Sequence, residues 1–242
     1  MKKELQSQGK REKHIDYDVT SHIRDVNGHE IFKNNRLTSQ FLSNYTGIQM
    51  LAGVRPEDIE DVTERYHAFL GIEFESDTIK KVCLHQADGT PDREIYVISL
   101  IEHKSAVDYD VAMQLFRYMS VIWYDYRMEQ NKKKKDANRR KAFRYPLIIP
   151  FVYYEGKEKW TAGLHLKDRI EFAEEMSEYI PDFQYHVVSV QQYTNEELSK
   201  KGDDMALVML INKIQNPEDW KRFTEEAREF MDTAYAQAPD EI

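Results

Sequence analysis

The stretch YVISLIEHKSA, residues 96–106, runs six strand-forming residues into an acid, an imidazole and an amine with no turn residue between them. Charged side chains are rarely buried unless they are paired or bound to something. Successive side chains of a strand point to opposite faces, so Glu102 and Lys104 share one face. His103 turns to the other and leaves its backbone carbonyl between them. A second acid, Asp77, lies within another strand-like run, and the turn residues ADGTPD separate the two runs. A hairpin with the loop 87–92 sets Gln86 against Arg93 and Asp77 against Glu102, with their Cβ atoms about 5 Å apart. Carboxylates that close repel, and one stays protonated unless a cation intervenes. Two carboxylates, a carbonyl oxygen and water make a hard oxygen set suited to Mg²⁺ or Mn²⁺. A neighbouring lysine can hold water or stabilise charge growing on a phosphate. Together these are the parts of metal-assisted phosphodiester hydrolysis. The plainer reading of Glu102 and Lys104 is a solvated ion pair at a strand end. The apolar strand before them, and Asp77 at the matching hairpin position, add weight to a site.

The elements that must position these residues follow from periodicity. A helix is expected from about Glu30 to Tyr45, with Phe32, Leu37, Phe41 and Leu42 on its apolar side, and a second, proline-led helix from RPEDIEDVTERY. Strand composition marks IEFESDTIKKVCLHQ (72–86) and REIYVISLIEHK (93–104). Apolar residues at helical spacing predict a long helix over about 109–129. YPLIIPFVYY (145–154) has strand length and reads as buried on both faces. The tail predicts a helix over about 167–179, a strand in FQYHVVSV, and helices near 194–214 and 217–236. The order is α, β-hairpin, α, β, then a helical tail, an α/β arrangement.

Size and charge narrow the classes. A chain of 242 residues can bury a sizeable core. A net charge of −9 argues against a generic nucleic-acid coat, although a local basic surface can still meet DNA. Cys83 has no partner for an internal disulfide and reads as a small buried residue. No apolar signal region opens the sequence, and the run 145–154 is too short to span a bilayer. The expectation is a cytoplasmic protein with a flexible segment over 1–28.

FESDTIKK, LIEHKS, LFRYMSVIW and RYPLIIPFVYYEGKEKW together resemble the recombination-promoting nuclease family (Rpn, whose members are also called putative transposases) of the PD-(D/E)XK nuclease superfamily. The likeness runs from about residue 29 to about 170 and is weaker in IPDFQYHVVSV. It implies a restriction-endonuclease-like core, a central mixed sheet flanked by helices, and Mg²⁺-dependent DNA cleavage. On that resemblance Asp77, Glu102 and the His103 carbonyl are metal ligands, and Lys104 is the base-like residue that acts with Asp77 and Glu102 in catalysis. It divides the chain into a core over 29–190 and a helical extension over 191–242. Four departures stand out. Lys104 replaces a frequent Gln and is closer to the wider superfamily pattern. His29-Glu30 is spaced one residue short, which weakens Glu30 as an auxiliary acid. Gln114 stands where relatives often carry Arg. A glycine- and glutamate-rich tail is missing, so a shorter member is expected.

Residues 132–144 hold Lys132, Lys133, Lys134, Lys135, Arg139, Arg140, Lys141 and Arg144 against one acid. They read either as a basic loop gripping DNA phosphates or as a solvated loop whose cations suit a helix C-terminus. The histidines and Cys83 lack zinc spacing. No phosphate-binding glycine loop and no serine-hydrolase elbow is present. Two function classes remain: a DNA endonuclease, and an inactive DNA-binding or protein-interaction module on the same fold. Asp77, Glu102 and Lys104 are all retained, which favours the enzyme. Such folds often dimerise to cut both strands, and the 109–129 helix or the C-terminal helices are candidate contacts.

Overall fold

The computed structural model describes residues 31–70, 78–85, 90–102, 107–214 and 216–226. Along the chain run α1 (Asn35–Asn44), β1 (Ile59–Asp61), α2 (Thr63–Leu70), β2 (Thr78–His85), β3 (Pro91–Glu102) and α3 (Val111–Lys133). After them come β4 (Ile148–Tyr154), β5 (His186–Ser189), α4 (Asn195–Lys201), α5 (Asp204–Asn212) and α6 (Pro217–Glu226). The strands lie side by side in chain order. β1, β2 and β3 are antiparallel, whereas β3, β4 and β5 are parallel. This is the mixed sheet expected, and helices cover both of its faces.

The apolar run in β4 explains the layering. All seven of its residues are buried. Ile149, Phe151 and Tyr153 enter one core, shared with α1, α4, α5 and α6; Ile148, Val152 and Tyr154 enter the other, shared with α2 and α3. A strand buried on both faces has no polar side to show, hence its continuous apolar sequence. Pro150, which cannot donate to a ladder, stands just before β5 pairing begins at Phe151. On α3, Val111, Leu115, Tyr118, Met119 and Ile122 form the buried stripe that closes the second core.

Several expectations are corrected. The first helix is interrupted at Asn34, which is extended and caps α1 by accepting from the N–H groups of Arg36 and Leu37. RPEDIEDVTERY gives one 3-10 turn, Pro56–Asp58, then the short strand β1 before α2 begins. No α-helix forms over 167–179. Two 3-10 turns replace it, and its large apolar residues Phe172, Met176 and Tyr179 lie exposed. A helix without a buried face lacks the packing that stabilises it. The helix expected over 194–214 is two, because Gly202 takes the left-handed conformation (φ 65°) and Asp203 caps the next helix. Cys83 is half-buried rather than fully buried.

The hairpin register also differs. Leu84, not Gln86, faces Arg93, and Thr78 faces Ser99, with an irregularity at Leu84/His85. The ladder is displaced by two residues from the one that sets Asp77 against Glu102. A two-residue slip keeps every side chain on its face, so the apolar pattern could not choose between the registers. β3 starts at Pro91, a position where a strand tolerates proline.

Candidate active site

Glu102 is the last residue of the central strand, β3. It pairs with Tyr154 at the end of β4, which pairs in turn with Ser189 at the end of β5. Three parallel strands therefore finish at one level, and the crevice beyond such carboxyl ends is the usual ligand site of an open α/β sheet. Asp77, His103, Lys104 and Glu30 lie outside the described residues, and of Glu102 only the backbone is described. Thr78, the residue after Asp77, pairs with Ser99, three positions before Glu102 on β3. Gln114 is half-buried in the first turn of α3. That turn lies at the Glu102 end, since the later turns reach the opposite end, where Trp123 Nε1 donates to the Pro146 carbonyl at 3.0 Å.

Polar groups gather on the α1 side of β2 and β3. Thr78 and Ser99 are fully buried neighbours, and neither hydroxyl has a hydrogen-bond partner among the described residues. Lys80, on the same face, is 1% exposed. Its ammonium lies 2.7 Å from Asp61 Oδ2, 3.4 Å from the Lys33 carbonyl and 3.5 Å from Asn35 Oδ1. Burial pulls the Lys80 pKa below its usual value, with Asp61 opposing. Burial pushes Asp61 up, but Lys80 and the hydroxyl and N–H of Thr63 outweigh it and leave the carboxyl below its usual range.

A second polar group lies just past β4. Glu155 is buried and accepts from Asn212 Nδ2, which also donates to the Tyr153 hydroxyl at 3.2 Å. Burial, then the nearby Glu155 charge, raises the Tyr153 phenol. Gly156 follows with its backbone against the Tyr154 ring, so closely that any Cβ would collide with it. Beyond it a cleft of about 520 Å³ is lined by Lys157, Lys213 and Arg222, together with Gln191, Thr194 and Asn195. Lys157 pairs with Asp219 at 3.0 Å, and Lys213 donates to the Tyr193 carbonyl at 2.6 Å. Sequence reasoning missed Lys80, Glu155 and this cleft. A signal for Lys80 existed: it alternates in step with Val82 and Leu84, the residues of β2 that enter the first core.

The basic residues 132–144 are not brought to Glu102. They lead from the end of α3 to the start of β4, where Leu147 accepts from the Tyr96 N–H. From Tyr96 to Glu102 is six residues of strand, about 20 Å. Lys132, Lys133, Lys134, Lys135, Arg139, Arg140, Lys141 and Arg144 are all exposed. The segment is nonetheless folded: Ala137 is buried, Asn138 N–H donates to Asn131 Oδ1, and Phe143 packs between Tyr126 and Tyr145.

A family model described as "Putative transposase, YhgA-like" matches residues 29–241. The chain belongs to this family. No curated protein and no solved structure matches it. For this YhgA-like chain the match extends through α4, α5 and α6, the helices that close the first core. Among the described residues no helix is long and apolar enough to cross a membrane. Nor does any group of three or more His, Cys, Asp or Glu among the described residues stand ready to hold a metal ion.

Proposed function

We propose that this chain is a metal-dependent DNA endonuclease acting in recombination or on mobile DNA. The observation that carries the reading is the place of Glu102, the acid of the Glu-His-Lys motif, at the carboxyl end of the central strand level with the ends of β4 and β5. Membership of a transposase-like family supports a DNA substrate. Asp77, Glu102 and the His103 carbonyl offer only oxygen, which fits Mg²⁺ or Mn²⁺. These residues would hold the ion, whose charge makes water a better nucleophile and stabilises the phosphate. Lys104 donates to the attacked phosphate or orients the water. Lys157 and Arg222, lining the cleft at the same end of the sheet, suit the flanking backbone phosphates. The buried Thr78, Lys80 and Ser99 lie on the opposite face of the same strands, toward α1.

Plasmid cleavage with Mg²⁺, Mn²⁺ or EDTA, run beside Glu102→Ala, tests this. The wild type is expected to cut only with metal, and the variant to fall by roughly a hundredfold or more with its fold intact. A second reading, an inactive DNA-binding module, is favoured by the separation of the basic segment from the Glu102 end. A folded protein that shifts DNA in a gel but never cuts it, whatever the metal, would establish that reading and end the first.

A further inference from the structure

At the amino ends of β3 and β4, beside the basic segment, a groove of about 740 Å³ runs between β2, β3 and the residues leading into β4. Its volume is that of a small-molecule site, about 300–1,000 Å³. Its lining mixes two chemistries. Tyr145, Leu147 and Met50 are each about half exposed, at 48%, 49% and 54%. Arg93 and Arg144 flank them. Arg144 donates to the carbonyls of Lys141 and Phe143 through one nitrogen, which leaves the rest of its guanidinium toward solvent. The acid that lines the groove, Glu94, is neutralised by Lys81 at 2.6 Å. The Tyr145 ring is braced edge-on by Phe143 at 5.1 Å and tilts against Trp123 at 6.3 Å, so it is held in place while one side stays open.

We infer that this groove is a platform for single-stranded DNA, with Tyr145 stacking a base and Arg144 and Arg93 holding the backbone. The inference rests on the reading above that the chain meets DNA, and it names the form of that DNA. A grip on duplex phosphates needs cations alone, because the bases are stacked on one another and present no free face. Exposed aromatic and aliphatic side chains set among cations are what a single strand uses, since every base offers a π-face. Charge complementarity is regional: the segment 132–144, which ends in the groove residue Arg144, carries eight cations and one acid in a chain of net charge −9. The platform lies about 20 Å from the level of Glu102 along β3, so it holds a strand apart from the point of cleavage.

The test is fluorescence anisotropy of a labelled oligothymidylate and of a duplex of the same length, in EDTA so that nothing is cut. The wild type is expected to prefer the single strand. Tyr145→Ala should weaken single-strand binding by roughly five- to a hundredfold, the range of one base–aromatic stack, and spare the duplex; Tyr145→Trp should restore it. Arg144→Gln, which leaves the rings in place, should weaken single-strand binding and flatten its salt dependence, and it keeps the test open if the alanine variant unfolds. Equal binding of both forms, indifferent to Tyr145, would overturn the platform and leave the DNA reading standing. Binding of neither form at low salt would remove the DNA reading and the platform with it.

Discussion

Among the described residues, Lys80 is a charged side chain in an environment far from its type. An ammonium at 1% exposure survives because Asp61 meets it at 2.7 Å and two oxygens complete its surroundings. The two sides of the pair are not equivalent. Asp61 is 36% exposed and can be hydrated if its partner goes, whereas Lys80 cannot. Lys80→Met should therefore be neutral or slightly stabilising. Asp61→Asn strands a buried charge and should cost about 2–3 kcal/mol, toward the low end for a broken buried pair because solvent reaches the carboxyl. Urea melts of both variants decide it, and a large loss in Lys80→Met would mean that the amine makes a contact beyond this pair. The pH dependence follows from direction. Asp61 is depressed in the folded state, so its stabilisation is present above the ordinary carboxylate pKa and is lost as pH falls through the lower folded value. Lys80 is also depressed, so its burial opposes folding while it is charged. Stability should rise as pH climbs through its folded value toward the unfolded one. Acid titration of wild type against Asp61→Asn should show the wild type alone losing the Asp61 contribution.

Elements were legible where packing leaves a period in the sequence. β4 betrayed itself by an unbroken apolar run and α3 by its buried stripe, and both are where the sequence set them to within a few residues. The hairpin register was not legible, because slips of two residues share one alternation and the choice falls to the turn and the irregularity at Leu84/His85. The non-helical segment around Phe172 misled for the opposite reason: its residues have helical spacing, but no layer of the fold comes to cover them. Of the candidate site, Glu102's place at a strand end was readable, whereas Lys80 and Glu155 were not. Their burial depends on helices distant in sequence, α1 for the first and α5 for the second. The break between α4 and α5 is an element-scale device. Gly202 ends α4 at φ 65°, and Asp203 then accepts from the Ala206 N–H and, at 2.6 Å, from the Tyr45 hydroxyl of α1's cap. Gly202→Ala should cost about 1–2 kcal/mol in thermal or urea melts because the left-handed region is strained for a side chain, and Gly202→Asn less. Equal melting of all three proteins would mean that the chain relaxes out of the cap.

On the scale of the whole molecule, the C-terminal helices decide whether both faces of the sheet carry a closed core or only one. The sequence reads as a core over 29–190 followed by an extension, yet Leu198, Met205, Met209, Leu210 and Phe223 are buried in the same cluster as Val97, Phe151 and Tyr153. Such a boundary cannot be seen in composition, because an amphipathic helix looks the same whether it caps another domain's sheet or packs on its own kind. Each of those five side chains is worth about 1.5–3 kcal/mol when buried. Their loss is therefore on the order of 10 kcal/mol, as much as the entire stability of an ordinary domain, roughly 5–15 kcal/mol. A chain cut after residue 190 should accordingly show no cooperative thermal transition, and its exposed α1-side core should bind a hydrophobic dye. The Glu102 end would fail with it, since α5 also supplies the Asn212 that holds Glu155 beside the last residues of β4. A sharp melt of the shortened chain close to that of the full one would instead make the helices an appendage, and would leave Lys157 without the Arg222 side of its cleft in the unit that folds.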